Sequence, residues 1–302
     1  NTGTVTVSRN GDLLSRVYVR VDQNSTDGIS GDHLIKDVTL EIGGQEIDKH
    51  TREWLQVWAE LTTPESKATG YKYLSGGFTN TLVSAGGTNQ QSVMVPLQFW
   101  FCRNPGLALP LIALQYHEVK VNLEFNAANL IFEEASPTLS AELFADYIYL
   151  DTDERRRFAQ VSHEYLIEQL QFESKTGGAT MELNFNHPVK ELVWVNKSST
   201  DFSNLPTTDF QLQLNGNDRF AQRDVTYFTH VQPYQHHTNI PDSTKHINVY
   251  SFALKPEEHQ PSGTCNFSRI DNANLFLFLI VLHPITFTLN FFSIKFLTKK
   301  NC

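Results

Sequence analysis

The sequence predicts an all-β protein made of β-sandwiches, and two observations carry this prediction. Apolar and polar residues alternate over many short segments, which is the pattern of strands with one buried face. Clusters of Gly, Pro, Asn and Ser separate these segments, as turns do in sandwich proteins. With 302 residues, the chain is long enough for one large domain or two medium ones.

Period-2 alternation marks strands in both halves of the chain. Each of these strands carries apolar residues at every second position, so that one face can be buried. The predicted buried faces are Val17-Val19-Val21, Val38-Leu40-Ile42, Val119-Val121-Leu123-Phe125, Leu143-Ala145-Tyr147-Tyr149, Met181-Leu183-Phe185 and Leu212-Leu214. The runs Leu192–Val195 and Ile247–Leu254 are also predicted to be strands.

One segment has the period of a helix instead. Between Asp48 and Leu61, the residues Trp54, Leu55, Trp58 and Leu61 form one apolar stripe. Asp48 is the predicted N-cap, and Pro64 ends the helix. The stripe is expected to pack on the first sandwich rather than to line a ligand pocket.

The two halves of the chain resemble each other weakly. Residues 34–38 are similar to residues 188–192, and residues 117–119 are similar to residues 246–248. The two offsets differ, so the similarity indicates a tandem repeat with loops of different length. The hinge is expected near Leu150 to Phe158, where charged residues cluster after a strand.

Composition argues against direct binding of nucleic acid. The net charge is −9, whereas a protein that holds phosphates needs a basic face. The dense basic run Arg155-Arg156-Arg157 follows Asp151, Asp153 and Glu154, so we interpret it as a solvated segment between elements. Cys102, Cys265 and Cys302 are far apart and lack C-x-x-C spacing, which favours a reducing compartment such as a cytoplasm.

No constellation in the sequence predicts a catalytic, cofactor-binding or metal site. His236 and His237 are adjacent and lack H-E-x-x-H spacing, so we expect them in a Pro-bounded loop, Pro233 to Pro241, that makes protein contacts. The Gly pairs at 76–77 and 86–87 are not followed by a P-loop lysine and are expected to be turns. Glu133 and Glu134 point apart in an extended segment and make no catalytic pair.

Three N-x-S/T sequons occur, at Asn24, Asn196 and Asn266. Such a short motif matters only for a chain that enters a secretory compartment. No signal segment follows Asn1, so N-glycosylation is not the expected fate of these three side chains.

Several long segments resemble the major capsid proteins of nucleocytoplasmic large DNA viruses, the group of phycodnaviruses, iridoviruses and mimivirus relatives. The similar segments begin with SRNGDLL at residues 8–14 and continue through HLIKDVTLEIGGQEIDKH at residues 33–50 and the tryptophan helix. The block VPLQFWFCRNPGLALPLIALQYHEVKVNLEF, residues 95–125, is among the most recognisable. In the second half, residues 185–195, 226–241 and 250–275 match as well.

This resemblance implies two consecutive jelly-roll β-sandwiches and a structural role in a virus shell. Three subunits would form a pseudo-hexagonal capsomer, because each contributes two similar sandwiches, and capsomers would tile an icosahedral capsid. The expected partners are further copies of the chain, neighbouring capsomers and minor capsid proteins, without direct nucleic acid contact. The expected location is the virion, after assembly in the host cytoplasm, and no enzymatic activity or cofactor is expected.

Both ends of the chain depart from the family pattern. The family has a further N-terminal segment before residue 1. After about residue 275, the chain becomes rich in Phe and Leu and loses its alternation. We therefore expect a first jelly roll over residues 1–152, a partial second one over residues 153–275, and an atypical hydrophobic tail over residues 276–302.

Three origins of this tail stay open. They are translation through an intron or past a frameshift, a membrane anchor within Leu275 to Ile294, and a diverged strand. His283, Pro284 and Asn290 are poor residues for a helix that faces lipid. Two alternative functions also remain, a carbohydrate-binding jelly-roll protein and a membrane-anchored β-sandwich.

Overall fold

The computed structural model describes residues 2–24, 34–76, 90–126, 138–161, 163–176, 178–196, 207–242, 246–279 and 288–300. Within these ranges the chain is mostly β-strand, as the alternation predicts. The strands, numbered in chain order, are β1 Thr2–Thr6, β2 Leu13–Asn24, β3 Ile35–Ile42, β4 Gln45–Thr51, β5 Gln90–Pro96, β6 Leu109–Pro110, β7 Val119–Phe125, β8 Thr138–Ile148, β9 Glu164–Thr176, β10 Thr180–Glu182, β11 Pro188–Asn196, β12 Thr207–Leu214, β13 Asn217–Asp224, β14 Asn248–Ser251, β15 Cys265–Asn266, β16 Ala273–Leu279 and β17 Thr288–Lys300.

Short helices connect the strands. They are α1 Arg52–Thr62, α2 Glu65–Ser75, α3 Trp100–Arg103, α4 Thr152–Gln160 and α5 Gln232–His236, with a π-helix at Tyr227–Val231 and 3₁₀ turns at Pro105–Leu107 and Phe267–Arg269. The chain divides into two compact units. The first includes Glu65–Tyr165 together with the residues up to Gln56, and the second includes Val57–Pro64 and Leu166–Thr298.

Each unit contains two sheets, and the strand pairings repeat from one unit to the other apart from β9, which is an additional strand of the second unit. In the first unit the orders are β1-β7-β3-β4 and β5-β2-β6, with β8 also paired to β2. In the second unit they are β10-β16-β12-β13 and β14-β11-β17-β9, with β15 also paired to β11. Strands β1 to β8 therefore pair as β10 to β17 do, and this repeated antiparallel connectivity is that of two jelly rolls.

The repeat confirms the prediction of two similar sandwiches. However, the segments that resemble each other in sequence do not occupy corresponding positions in the sheets. The start of β3 resembles the start of β11, whereas in the sheets β3 corresponds to β12 and β11 to β2. Likewise β7 corresponds to β16, not to β14. Short apolar runs look alike in any two strands, so the pairing order identifies the repeat where sequence similarity misleads.

The core of the second unit joins its two sheets. Trp194 on β11, Phe210 on β12 and Phe228 of the π-helix meet with ring centroids 5.3–5.4 Å apart. All three side chains are buried. Aromatic groups at these distances add to the stabilisation from their buried area, so these three rings stabilise the packing of one sheet on the other.

The last described segment of the chain corrects one expectation. Thr288–Lys300 forms β17, which lies between β11 and β9 and pairs with β11 from Val189↔Lys295 to Asn196↔Leu289. Phe292 on this strand is fully buried. The tail therefore contributes a strand to the second sandwich instead of lying apart from an incomplete one.

Strand β16 explains why the tail lacks alternation. Its apolar run is continuous, yet Ala273, Leu275 and Leu277 are buried while Phe278 is exposed. Successive side chains still point to opposite faces of the sheet, and both faces carry apolar residues. Among the described residues, no helix is long and apolar enough to cross a bilayer.

The helix predicted from the tryptophan stripe is present, with a corrected start. It begins at Arg52, because Asp48 lies in β4 and Thr51 Oγ1 accepts a hydrogen bond from Trp54 N at 3.4 Å. The helix ends at Thr62, just before Pro64. A second helix, α2, follows at once and was not predicted.

The stripe of α1 is buried, as expected of a structural helix. Trp54, Leu55, Trp58 and Leu61 are at most 3% exposed. However, Val57–Pro64 belong to the second compact unit. The expectation that the whole stripe packs on the first sandwich therefore fails for Trp58 and Leu61.

Candidate functional site

The densest group of polar side chains lies in the second unit around His237. The sequence places this residue in a loop, whereas the structure puts it at the C-terminal end of α5, directly after His236. The His237 side chain is fully buried. The helix thus directs one of the two adjacent histidines into the protein, while His236 Nδ1 bonds Leu254 O at 3.0 Å.

His237 bridges two carboxylates. Its Nε2 lies 2.9 Å from Glu191 Oε2 on β11, and its Nδ1 lies 3.1 Å from Glu257 Oε1 in the loop after β14. Burial acts to lower the pKa of His237, but the charges and hydrogen bonds of Glu191 and Glu257 outweigh it and raise the pKa to about 9. The side chain is therefore a buried imidazolium at neutral pH.

The loop carboxylate of Glu257 is held from several sides. Thr238 donates to it from its backbone N at 2.7 Å and from its hydroxyl at 2.5 Å. Burial acts to raise the pKa of Glu257, but the hydrogen bonds from His237 and Thr238 dominate and lower it. Glu257 is thus ionised at neutral pH, where His237 is also charged.

A second buried ion pair involves Lys190, which directly precedes Glu191 in the chain. Lys190 Nζ contacts Glu168 Oε1 on β9 at 2.6 Å and donates to Glu258 O at 3.0 Å. His259 Nδ1 lies 3.4 Å from the same Glu168 oxygen. The Lys190 side chain is 0% exposed, and removing one partner of a buried ion pair is strongly destabilising. Together, residues 168, 190, 191, 237, 257 and 259 form what we call the ionic cluster.

The contacts of the ionic cluster are those of a structural connection. Its carboxylates contact cationic side chains, and His237 is protonated at neutral pH, so this imidazole does not act as a general base there. In the part of the chain that the structure describes, His, Cys, Asp and Glu side chains form no group of three able to hold a metal ion. What the cluster does is connect β9, β11, α5 and the loop after β14.

Sequence reasoning missed this cluster, although one signal was present. Lys190 and Glu191 stand together inside the otherwise apolar run of β11, all of which is buried after Pro188. Charged residues are almost never fully buried unless they are paired. A charged pair within a buried strand therefore predicts partners elsewhere. Glu168 on β9 and the carbonyl of Glu258 contact Lys190, and His237 contacts Glu191.

A smaller polar site explains the motif at the start of β2. Asp12 is buried, accepts a hydrogen bond from Leu150 N at 2.8 Å and contacts Arg155 Nη2 at 2.7 Å. The backbone hydrogen bond from Leu150 contributes most to lowering the pKa of Asp12, and Arg155 adds to it. Gly11 is required beside it, because an added Cβ would lie 2.5 Å from Tyr147 Cβ.

The structure also corrects the interpretation of the basic run Arg155-Arg156-Arg157. The run lies in helix α4 and not in an irregular segment, and most of the helix is exposed as expected. Arg155 is bound to Asp12, and Arg156 Nη1 lies 3.9 Å from Asp153 Oδ1. The positive charge of the run is thus partly neutralised within the first unit.

The other residues singled out from the sequence are scattered. Asn24 ends β2, Asn196 ends β11 and is 6% exposed, and Asn266 lies in β15, where its Oδ1 accepts from Ser268 N at 3.1 Å. The expectation that these three sequons are not glycosylated stays a prediction. Gly76 is in a turn with φ of +83°, whereas the Gly pair at 86–87 and the Glu pair at 133–134 lie outside the described residues.

Two family models match the chain in succession. The model of the major capsid protein N-terminus matches residues 1–151, and the model of the large eukaryotic DNA virus major capsid protein matches residues 154–280. Among curated proteins, the major capsid protein of Pyramimonas orientalis virus is 53% identical, over 90% of this chain and 77% of its own length. That of Paramecium bursaria Chlorella virus 1 is 41% identical, over 90% and 74%.

Solved structures agree with these matches. A quasi-atomic model of the PBCV-1 virus capsid has a TM-score of 0.85 and 33% sequence identity, covering 99% of this chain and 90% of that one. The Faustovirus major capsid protein has a TM-score of 0.81 with 11% identity, covering 100% and 88%. At that identity, the second likeness shows the fold alone.

Proposed function

This chain belongs to the family of large eukaryotic DNA virus major capsid proteins, and we propose that it builds the shell as homotrimeric, pseudo-hexagonal capsomers. Its role is that of a structural capsid component in the virion. The observation that carries the trimer is the repeated strand order of its two units. Three copies of a subunit with two similar sandwiches supply six similar bodies, which suits a tile with six neighbours.

The partners in this proposal are proteins. Further copies of the chain form the capsomer, neighbouring capsomers form the shell, and minor capsid proteins attach to it. Direct contact with the genome is not part of the proposal, because the net charge is −9 and Arg155 is already bound to Asp12. We further propose assembly in the host cytoplasm, which suits a chain whose Cys102 and Cys265 are free thiols.

A non-enzymatic role is also proposed. The carboxylates of the ionic cluster are paired with cationic side chains, and the thiol of Cys102 is unreactive, because burial raises its pKa to about 12. Such groups stabilise a fold and do not act on a substrate.

Electron microscopy of the purified chain in negative stain tests the capsomer. We expect class averages with a hexagonal outline and three-fold symmetry. Single-chain particles at micromolar concentration, from protein with intact β-sheet circular dichroism, would contradict it. Binding of the monomeric protein to a glycan array would instead favour the carbohydrate-binding alternative, and flotation with liposomes would favour the membrane-anchored one.

A further inference from the structure

The ionic cluster fastens one long loop of the second unit. This loop, residues 252–262, follows β14 and ends before β15. Phe252 N and Ala253 N both donate to Lys190 O, at 2.8 and 3.1 Å. Glu257 is bound to His237 and Thr238, and Glu258 O accepts from Lys190 Nζ. The cluster therefore closes the loop against β11 and the end of α5.

The geometry requires a proton on both ring nitrogens of His237. An ionised carboxylate only accepts hydrogen bonds, and His237 faces one on each side. A neutral imidazole has one N–H donor, so after loss of a proton one of the two contacts would join two acceptors. One link, either to β11 or to the loop, would then become repulsive.

We propose that the ionic cluster is a pH-operated latch, which holds the loop of residues 252–262 while His237 is an imidazolium and releases it when that proton is lost. The inference concerns a conformational device inside the second unit and does not depend on the proposed assembly. The loop carries Leu254, which is 71% exposed, so release would change the surface that the second unit presents.

Within the described part of the second unit, the cations near the cluster already have other contacts. Lys190 from β11 is bound to Glu168 from β9 and to the loop carbonyl of Glu258. His259 from the loop also faces Glu168, and Lys255 pairs at the surface with Glu258. Glu191 Oε1 is buried and makes no hydrogen bond within the described structure. Loss of the His237 proton would thus leave a buried carboxylate without its partner, which is costly.

The direction of the pH effect follows from the two pKa values. The pKa of His237 is raised from 6.5 to about 9 in the folded state, so the stabilisation is complete below 6.5 and is lost as pH rises to about 9. The pKa of Glu257 is lowered, so its contribution is present above 4.5 and is lost as pH falls. The latch is therefore strongest between these limits and opens on the alkaline side.

Amide hydrogen exchange by mass spectrometry on the full chain, from pH 6 to pH 10, tests the latch. After correction for intrinsic exchange rates, we expect protection of residues 252–262 to fall by roughly a hundredfold. The rise of the His237 pKa from 6.5 to about 9 changes the opening equilibrium of the loop by roughly a few hundredfold at most. Protection of β12 and β16 should stay constant over the same range. Constant protection of the loop up to pH 10 would overturn the proposal.

Two variants and a matched control sharpen the test. In His237→Gln, the loop should be weakly protected at pH 6 and show no further loss on alkalinisation. Glu257→Gln removes the charge on the loop side of the latch and should show the same weak protection at pH 6. Because Glu257 is 23% exposed, this variant can be used if His237→Gln does not fold. His230→Gln is the control, because His230 lies in the π-helix and its Nδ1 contacts Thr229 Oγ1 at 2.7 Å, so the variant should retain the wild-type pH dependence. A flattened profile in His230→Gln, with a normal one in His237→Gln, would contradict the assignment.

Discussion

Single residues of this chain are constrained by backbone contacts that their side-chain chemistry alone does not reveal. The segment Gly11-Asp12 illustrates this. Asp12 binds Leu150 N and Arg155, while the backbone of Gly11 lies against Tyr147. The sequence shows the motif and its resemblance to a family. The reason for it comes from residues more than 130 positions away, which no local pattern indicates.

The glycine of this motif gives the first prediction. Gly11→Ala should destabilise the chain by about 1–3 kcal/mol, because its Cβ would lie 2.5 Å from Tyr147 Cβ and the backbone must shift. Thermal unfolding followed by circular dichroism measures the effect. Gly3→Ala is the control, since nothing lies within 4 Å of its added Cβ. Equal melting temperatures for the two variants would show that the close approach at Gly11 is not real.

At the scale of elements, alternation predicted where strands lie but not how they pair. The strands containing Val17, Val38 and Val121 were predicted correctly, since their apolar faces are buried as the period requires. Helix α2 was missed because its stripe is weak and most of it is exposed. A strand in the tail was one of three interpretations left open, because apolar residues there occupy adjacent positions and alternation cannot then distinguish a strand from a membrane helix.

The buried stripe of α1 gives the second prediction. Trp58→Ala should destabilise the fold by about 3–5 kcal/mol, because the ring is only 3% exposed and its removal leaves a cavity. Chemical denaturation measures this loss. Tyr73→Ala on α2 is a suitable control, as Tyr73 is 54% exposed and its loss should cost much less. An unchanged unfolding midpoint for Trp58→Ala would mean that the ring is not part of a core.

The third prediction concerns β17 as a genuine strand of the second sandwich. Phe292 is fully buried and its ring centroid lies 5.3 Å from that of Phe172 on β9. Phe292→Ala should therefore cost about 3–5 kcal/mol of unfolding free energy. Phe278→Ala on β16, where the ring is 36% exposed, should cost clearly less. If both variants unfold like the parent chain, the segment after residue 287 does not pack as a strand.

At the scale of the whole molecule, one arrangement of strands occurs twice. Strand order in each unit follows the same plan, and one family model matches each half of the chain. The double jelly roll and the capsid role were foreseen from the family resemblance. The ionic cluster was not, because it joins charges from β9, β11, α5 and a loop that are close only in the folded chain. The periodicity of apolar residues predicts which face of a strand or helix is buried, and it gives no information about ion pairs between distant segments.

The central claim is that this chain is a shell subunit that associates in threes, and its mass in solution tests this most directly. Trimeric capsomers need permanent interfaces, of roughly 2,000 Å² or more, which persist at micromolar concentration. Size-exclusion chromatography with multi-angle light scattering should therefore give three times the chain mass of 34.4 kDa. A single-chain mass at micromolar concentration, from protein whose circular dichroism and unfolding transition show an intact fold, would contradict the claim.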